Sequence, residues 1–163
     1  MHESHIDQDL PKPEFYSQLA AELKALVAGE PDDIANLANA AALLFHSLSD
    51  LNWAGFYLLK NGELVVGPFQ GRPACVRIAI GKGVCGTSVA KKATMLVPNV
   101  HEFPGHIACD SASNSEIVVP MIRGTEVIGV MDIDSPRLAR FDAQDQEGLE
   151  AFVRVLMAQI NPR

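Results

Sequence analysis

All three cysteines and the acids Glu116, Asp132 and Asp134 fall within one stretch of the chain, from Cys75 to Asp134. They sit in the segments Ala74-Cys75-Val76-Arg77-Ile78, Gly83-Val84-Cys85-Gly86, His106-Ile107-Ala108-Cys109-Asp110, Ser115-Glu116-Ile117 and Met131-Asp132-Ile133-Asp134-Ser135. A thiolate is a nucleophile and a two-electron redox carrier when paired with a second thiol. A carboxyl group is a proton donor when neutral and an anchor for cations when ionised. Together they can reduce an oxidised small molecule with no bound cofactor. Asp132 and Asp134 alternate along a strand pattern, so both point to one face, and Glu116 opens the neighbouring strand pattern. On a face that otherwise buries aliphatic groups, crowding and desolvation would raise the proton affinity of at least one of the three. A remaining carboxylate would attract an ammonium group, so the set suits a small zwitterion. The bland alternative is that this end of the sheet is solvated.

Other motifs are weaker. Gly81-Lys82-Gly83-Val84-Cys85-Gly86 has the spacing of a dinucleotide fingerprint between a strand and a helix, but that fingerprint requires a parallel crossover and the surrounding elements are hairpins. The glycines fit a tight turn that sets Cys85 in the first turn of a helix, where the macrodipole favours its thiolate. His106-x-x-Cys109 with Cys75 and Cys85 offers zinc-type donors, yet no Cys-x-x-Cys pair is present, so no metal is expected. His101 and His106 read as loop residues, with His106 adjusting the electrostatics around Cys109. Trp53, the single tryptophan, reads as core, or as an indole wall of a small pocket.

The elements that must position these groups follow from periodicity. Pro13-Glu14 opens a helix with Leu19, Leu23, Leu26 and Val27 on one face, closed by Gly29. Pro31-Asp32-Asp33 opens a second helix carrying Ile34, Leu37, Ala38, Ala41, Leu44, Phe45 and Leu48. The period then changes. Trp53 to Leu59 and Glu63 to Phe69 are strands joined by Asn61-Gly62, a strong hairpin signal. Ala74 to Ile80 is a strand, Val84 to Lys91 a short helix, and Thr94 to Pro98 a short strand. A long loop from Asn99 to Ser115 holds Cys109. Strands Glu116 to Ile122 and Glu126 to Asp134 meet at the Arg123-Gly124 turn, and a capping box at Asp142 to Asp145 starts a last helix bearing Leu149, Phe152, Val153, Leu156 and Met157. Hairpins dominate, so the expectation is one α+β domain, with a mainly antiparallel sheet and helices on one face.

The totals agree with that class. The chain has 163 residues, 48% hydrophobic and 6% aromatic, enough for one largely aliphatic core. The net charge of −7, with no basic stripe, argues against nucleic acid as a partner. No apolar run reaches the length of a membrane span, and the first residues are polar and acidic, unlike a secretory signal. A cytoplasmic protein is the expectation. Three cysteines cannot all pair within one chain.

Several of these pieces resemble one family. They are Asn52-Trp-Ala-Gly-Phe-Tyr57, Gly67-Pro-Phe-Gln-Gly71, Ala74-Cys-Val-Arg-Ile78, Gly81-Lys-Gly-Val-Cys-Gly86, His106-Ile-Ala-Cys109, Ser113-Asn-Ser-Glu-Ile-Val-Val-Pro120 and Gly129-Val-Met-Asp-Ile-Asp-Ser135. In order and spacing they are similar to the free methionine-(R)-sulfoxide reductases, which are stand-alone GAF domains. The resemblance implies a six-stranded antiparallel sheet with helices behind and an enclosed pocket in front, spanning 13–163 after a polar N-terminal tail over 1–12. It implies Cys109 as the attacking thiol, Cys75 as its principal resolving partner and Cys85 as a third cysteine used in recycling. It further implies Glu116, Asp132 and Asp134 as substrate-binding carboxylates and Trp53 against the substrate methyl; chemical reasoning on the acids adds Glu116 or Asp134 as the proton donor. The implied partners are free methionine-R-sulfoxide and a thioredoxin-like reductant, with a homodimer as a weaker expectation. Helix-terminus reasoning and the resemblance differ on the nucleophile, Cys85 against Cys109. Cys109 is favoured because its loop leads directly into Glu116. Two other classes share such residues: a GAF module that only binds a small ligand, and a thiol redox sensor.

Overall fold

In the computed structural model, which describes residue 3 and residues 5–161, the elements run α1 (Lys12–Val27), α2 (Asp33–Ser47), β1 (Trp53–Lys60), β2 (Glu63–Gly71), β3 (Arg77–Ala79), α3 (Gly83–Lys91), β4 (Met95–Val97), β5 (Ser115–Arg123), β6 (Glu126–Ser135) and α4 (Ala143–Met157). The strands form one sheet in the order β3-β2-β1-β6-β5-β4. Every neighbouring pair is antiparallel. The fold is therefore α+β, as the hairpin-rich pattern predicts.

Two-residue alternation sorts the side chains of the central strands into two cores. Ala54, Phe56 and Leu58 of β1, Ile117, Val119 and Met121 of β5, and Met131 and Ile133 of β6 face α1, α2 and α4. Trp53, Tyr57, Val118 and Val130 face the other way, with Leu64, Ile78 and the α3 residues Val84, Cys85 and Val89. Three helices thus back the sheet, and the short α3 crosses to the opposite side. That crossing departs from the expectation of helices on one face only, and it is what encloses a cavity in front. Periodicity does not reveal it, because α3 is short and its few apolar residues could serve either side.

Local chemistry explains the element ends. Asn61 and Gly62 both have positive φ, at 52° and 82°, the conformation of the tight hairpin turn between β1 and β2. Asp142 accepts from the backbone of Gln144 and Asp145, and Asp145 reciprocates to the backbone of Asp142, completing the predicted capping box of α4. Asp145 also accepts from the Tyr16 hydroxyl (2.7 Å) and Lys12 Nζ (2.7 Å), pinning α1 to α4. A side chain at position 148 would collide with the Tyr16 ring, so Gly148 lets the two helices close. Ile6 and Leu10 also pack against this helical core. Residues 1, 2 and 4 of the polar N-terminal stretch lie outside the described residues.

The strand expected from Ala74 to Ile80 is shorter. Ladder pairing covers only Arg77 to Ala79; Val66 N–H still donates to the Val76 carbonyl at 2.9 Å, and the Cys75 carbonyl accepts from the Tyr57 hydroxyl at 2.9 Å.

Candidate active site

The cavity lies between the front of the sheet, α3 and the loop that follows β4. Its walls include Trp53, Tyr57, Arg72, Cys85, Cys109, Asp110, Ser113, Glu116, Asp132 and Asp134. Sheet register sets the acids. Glu116 of β5 lies directly opposite Asp134 of β6, and Asp132 lies two residues along the same strand, opposite Val118. A carboxylate oxygen from each of the three falls within 4.8 Å of the others. All are buried, at 6% exposure for Glu116, 5% for Asp132 and 9% for Asp134. The solvated-edge reading of these acids is therefore excluded.

Three carboxyls so crowded cannot all be ionised without a cation between them. Desolvation, followed by the charges of Asp132 and Asp134, raises Glu116 well above the usual carboxylate range. Desolvation and Asp134 also raise Asp132, while hydrogen bonds from Glu116 and the Cys85 thiol pull it back. Asp134 rises mainly by desolvation, restrained by a hydrogen bond from Glu116, and ends at about 6. Glu116 donates to both aspartates and is therefore the proton carrier among the three, while Asp134, at about 6, is ionised near neutral pH. Oδ1 of Asp132 is buried without a hydrogen-bond partner, an acceptor waiting for a donor.

Cys75 and Cys109 are joined in a disulfide, with their Cα atoms 5.6 Å apart, inside the ordinary range for such bridges. These are the two cysteines that the resemblance pairs. The bridge also removes two of the four donors of the zinc arrangement considered above. Cys85 is the free, buried thiol. Burial, followed by the charges of Asp132, Glu116 and Asp134, pushes its pKa well up. This corrects the helix-terminus expectation of a favoured thiolate at Cys85: α3 spans only Gly83–Lys91, and desolvation beside acids outweighs its dipole. Cys85 instead donates a hydrogen bond to Asp132 at the cavity floor. The glycines before it fold as a turn, with Gly81 donating to the Gly86 carbonyl at 2.8 Å, and no parallel crossover follows.

The apolar wall is an aromatic stack. Trp53 lies against Phe69 with centroids 5.0 Å apart and against Tyr57 at 5.8 Å. Its indole N–H donates to the Arg72 carbonyl at 3.2 Å. A bulge in the β1–β2 ladder after Gly55 makes room, since any side chain there would overlap Phe69. Burial, followed by the charge of Asp132, keeps the Tyr57 hydroxyl protonated. His106, on the rim, is lowered by burial and by His101 and is neutral near pH 7.

Sequence reasoning singled out Trp53, Cys75, Cys85, Cys109, Glu116, Asp132 and Asp134; six of them line this one cavity, and Cys75 sits just behind the wall, bonded to Cys109. It missed Tyr57, Arg72, Asp110 and Ser113. For Tyr57 a signal existed: it lies four residues beyond Trp53 on the same strand face. The other three belong to irregular segments, where no period reports orientation.

The GAF domain family profile matches residues 33–160. The chain is 54% identical over 145 residues to the free methionine-R-sulfoxide reductase of Escherichia coli, covering 89% of this chain and 88% of that one. It is 42% identical over 165 residues to the protein of the same name from Saccharomyces cerevisiae, covering 95% and 92%. The chain belongs to the free methionine-R-sulfoxide reductase family of GAF domains. Among solved structures, the free methionine-R-sulfoxide reductase from Neisseria meningitidis in complex with its substrate superposes with a TM-score of 0.93 at 43% identity, covering 98% of this chain and 95% of that one. Within this family the fold is thus shared over nearly the full length. Among the described residues no helix is long and apolar enough to cross a membrane.

Proposed function

We propose that this reductase converts free L-methionine (R)-S-oxide to L-methionine through a cysteine sulfenic acid and an intramolecular disulfide. The observation that carries the reading is the Cys75–Cys109 bridge, whose Cys109 end lies in the wall of the cavity where three buried carboxyls converge. Cys109 Sγ attacks the sulfoxide sulfur while neutral Glu116 donates a proton to the sulfoxide oxygen. Protonation is needed because a sulfoxide oxygen is a poor leaving group. The oxygen passes to Cys109 as a sulfenic acid, and methionine leaves with its sulfur reduced by two electrons. Cys75 then attacks the sulfenic sulfur, which forms the disulfide and releases water.

A cytoplasmic thioredoxin-type dithiol restores the two thiols by exchange, directly or through Cys85. Asp134 and the unpartnered oxygen of Asp132 receive the substrate ammonium. Arg72 at the mouth supplies the opposite charge for the α-carboxylate, and Trp53 with Tyr57 receives the sulfur-bound methyl. R selectivity follows from giving methyl, oxygen and side chain one suitable wall each.

The test is incubation of the protein with free methionine-R-sulfoxide and dithiothreitol, with methionine quantified. Turnover supports the reading. Binding without product would make the chain a ligand-binding module, and disulfide formation on peroxide alone would make it a redox sensor.

A further inference from the structure

Cys109 lies on a loop while the acids lie on β5 and β6, and one side chain with no role so far joins that loop to the end of β6. Asn52 precedes β1. Its side-chain amide donates both hydrogens, to Asp110 Oδ2 at 3.1 Å and to Ser113 Oγ at 2.9 Å. A carboxylate can only accept, so the amide orientation is fixed by chemistry. Its backbone N–H donates to the Asp134 carbonyl at 3.0 Å. Asp110 directly follows Cys109 and closes a tight turn by accepting from the Ala112 backbone at 2.9 Å and, through its carbonyl, from Ser113 at 3.2 Å. Asn52 therefore grips the turn just after the thiol with its side chain and the end of the acid strand with its backbone.

We propose that Asn52 is a positioning residue for the sulfoxide reduction, fixing the loop that carries Cys109 relative to the carboxyls of β5 and β6. The inference rests on the function proposed above. The chain after Cys109 is held, and motion of the sulfur between Cys75 and the substrate draws on the residues before it. The clasp also brings the Asp110 carboxylate to the cavity wall. Asp110 is lowered by the Ala112 amide and by Asn52, so it is ionised, and its charge adds to the upward shift of Asp134. The Oδ1 atom of Asn52 is buried with no partner. A residue needed only for packing gains nothing from that empty acceptor, and leucine would fill the same space without it.

The test uses the full reduced protein with dithiothreitol as electron donor and compares the parent with Asn52→Leu, Asp110→Ala, Asp110→Asn and the double variant Asn52→Leu/Asp110→Ala. Misplacement of a reacting group by about 1 Å costs about 100-fold in rate, so Asn52→Leu is expected to lower kcat by about 30- to 100-fold while KM stays within about threefold. Asp110→Ala should lose a comparable amount, and Asp110→Asn, which keeps an acceptor for the amide, clearly less. The double variant should lose no more than the worse single one, because both break one contact. The proposal is overturned if Asn52→Leu folds with kcat within threefold of the parent, or if the two single losses multiply in the double variant. Should Asn52→Leu not fold, equal losses in Asp110→Ala and Asp110→Asn would overturn it. A parent that makes no methionine would refute the function itself, which is a different outcome.

Discussion

Replacing Asp134 by Asn should stabilise this protein while weakening it as a catalyst, and the gain should depend on pH in a set way. Asp134 is held at about 6 against an ordinary 3.8. Roughly two units, at about 1.36 kcal/mol each, amount to about 3 kcal/mol. A carboxyl raised on folding binds more protons folded than unfolded, so stability is lost as pH climbs from the unfolded value through the folded one. Below about pH 4 the group is protonated in both states, and the penalty vanishes. Above about pH 6 it is complete.

Asparagine carries no charge to desolvate and still accepts the Glu116 hydrogen bond, so it should recover most of that penalty near neutrality. For a chain of this size about 3 kcal/mol corresponds to a rise in Tm of roughly 6–12 °C. Thermal unfolding of parent and Asp134→Asn, both reduced, at pH 4 and at pH 7.5 measures it. A gain equal at the two pH values, or a loss at pH 7.5, would refute the account of the acid cluster. KM for the sulfoxide should rise at the same time, since the ammonium loses an anchor.

Cys109→Ser should abolish even one turnover, checked by methionine released per chain in the absence of reductant. Cys75→Ser should release about one methionine per chain and then stall, with the sulfenic acid trapped by dimedone, because nothing resolves it. With Asp134 titrating at about 6, kcat/KM should fall as pH drops below that value, and the acidic limb should disappear in Asp134→Asn. Cys85→Ser, which keeps a donor for Asp132, should retain far more kcat/KM than Cys85→Val, which leaves that buried carboxyl short of a hydrogen bond and should raise KM about tenfold.

Much of this was legible from the chain because it is written in short periods. Alternation in β5 and β6 placed Glu116, Asp132 and Asp134 on one face, and Asn61-Gly62 and Asp142 to Asp145 marked a hairpin and a helix start. What stayed hidden depends on long-range contact. The position of α3 in front of the sheet reversed the expected ionisation of Cys85, since a dipole argument is local while desolvation is a property of the assembled fold. The Asn52 clasp joins residues 58 and 61 positions apart, a distance at which no spacing rule operates. The contact of the Tyr57 hydroxyl with the Cys75 carbonyl, 18 positions apart, was equally out of reach of any period.

That hydroxyl has a mechanical consequence. By holding the carbonyl of Cys75, Tyr57 moors one end of the bridge to a central strand, while the other end rides on an irregular segment. On the proposed mechanism, cutting the bond between them would leave Cys75 as a fixed dock and Cys109 as the sulfur that travels to the substrate, so each cycle would return to the same landing point.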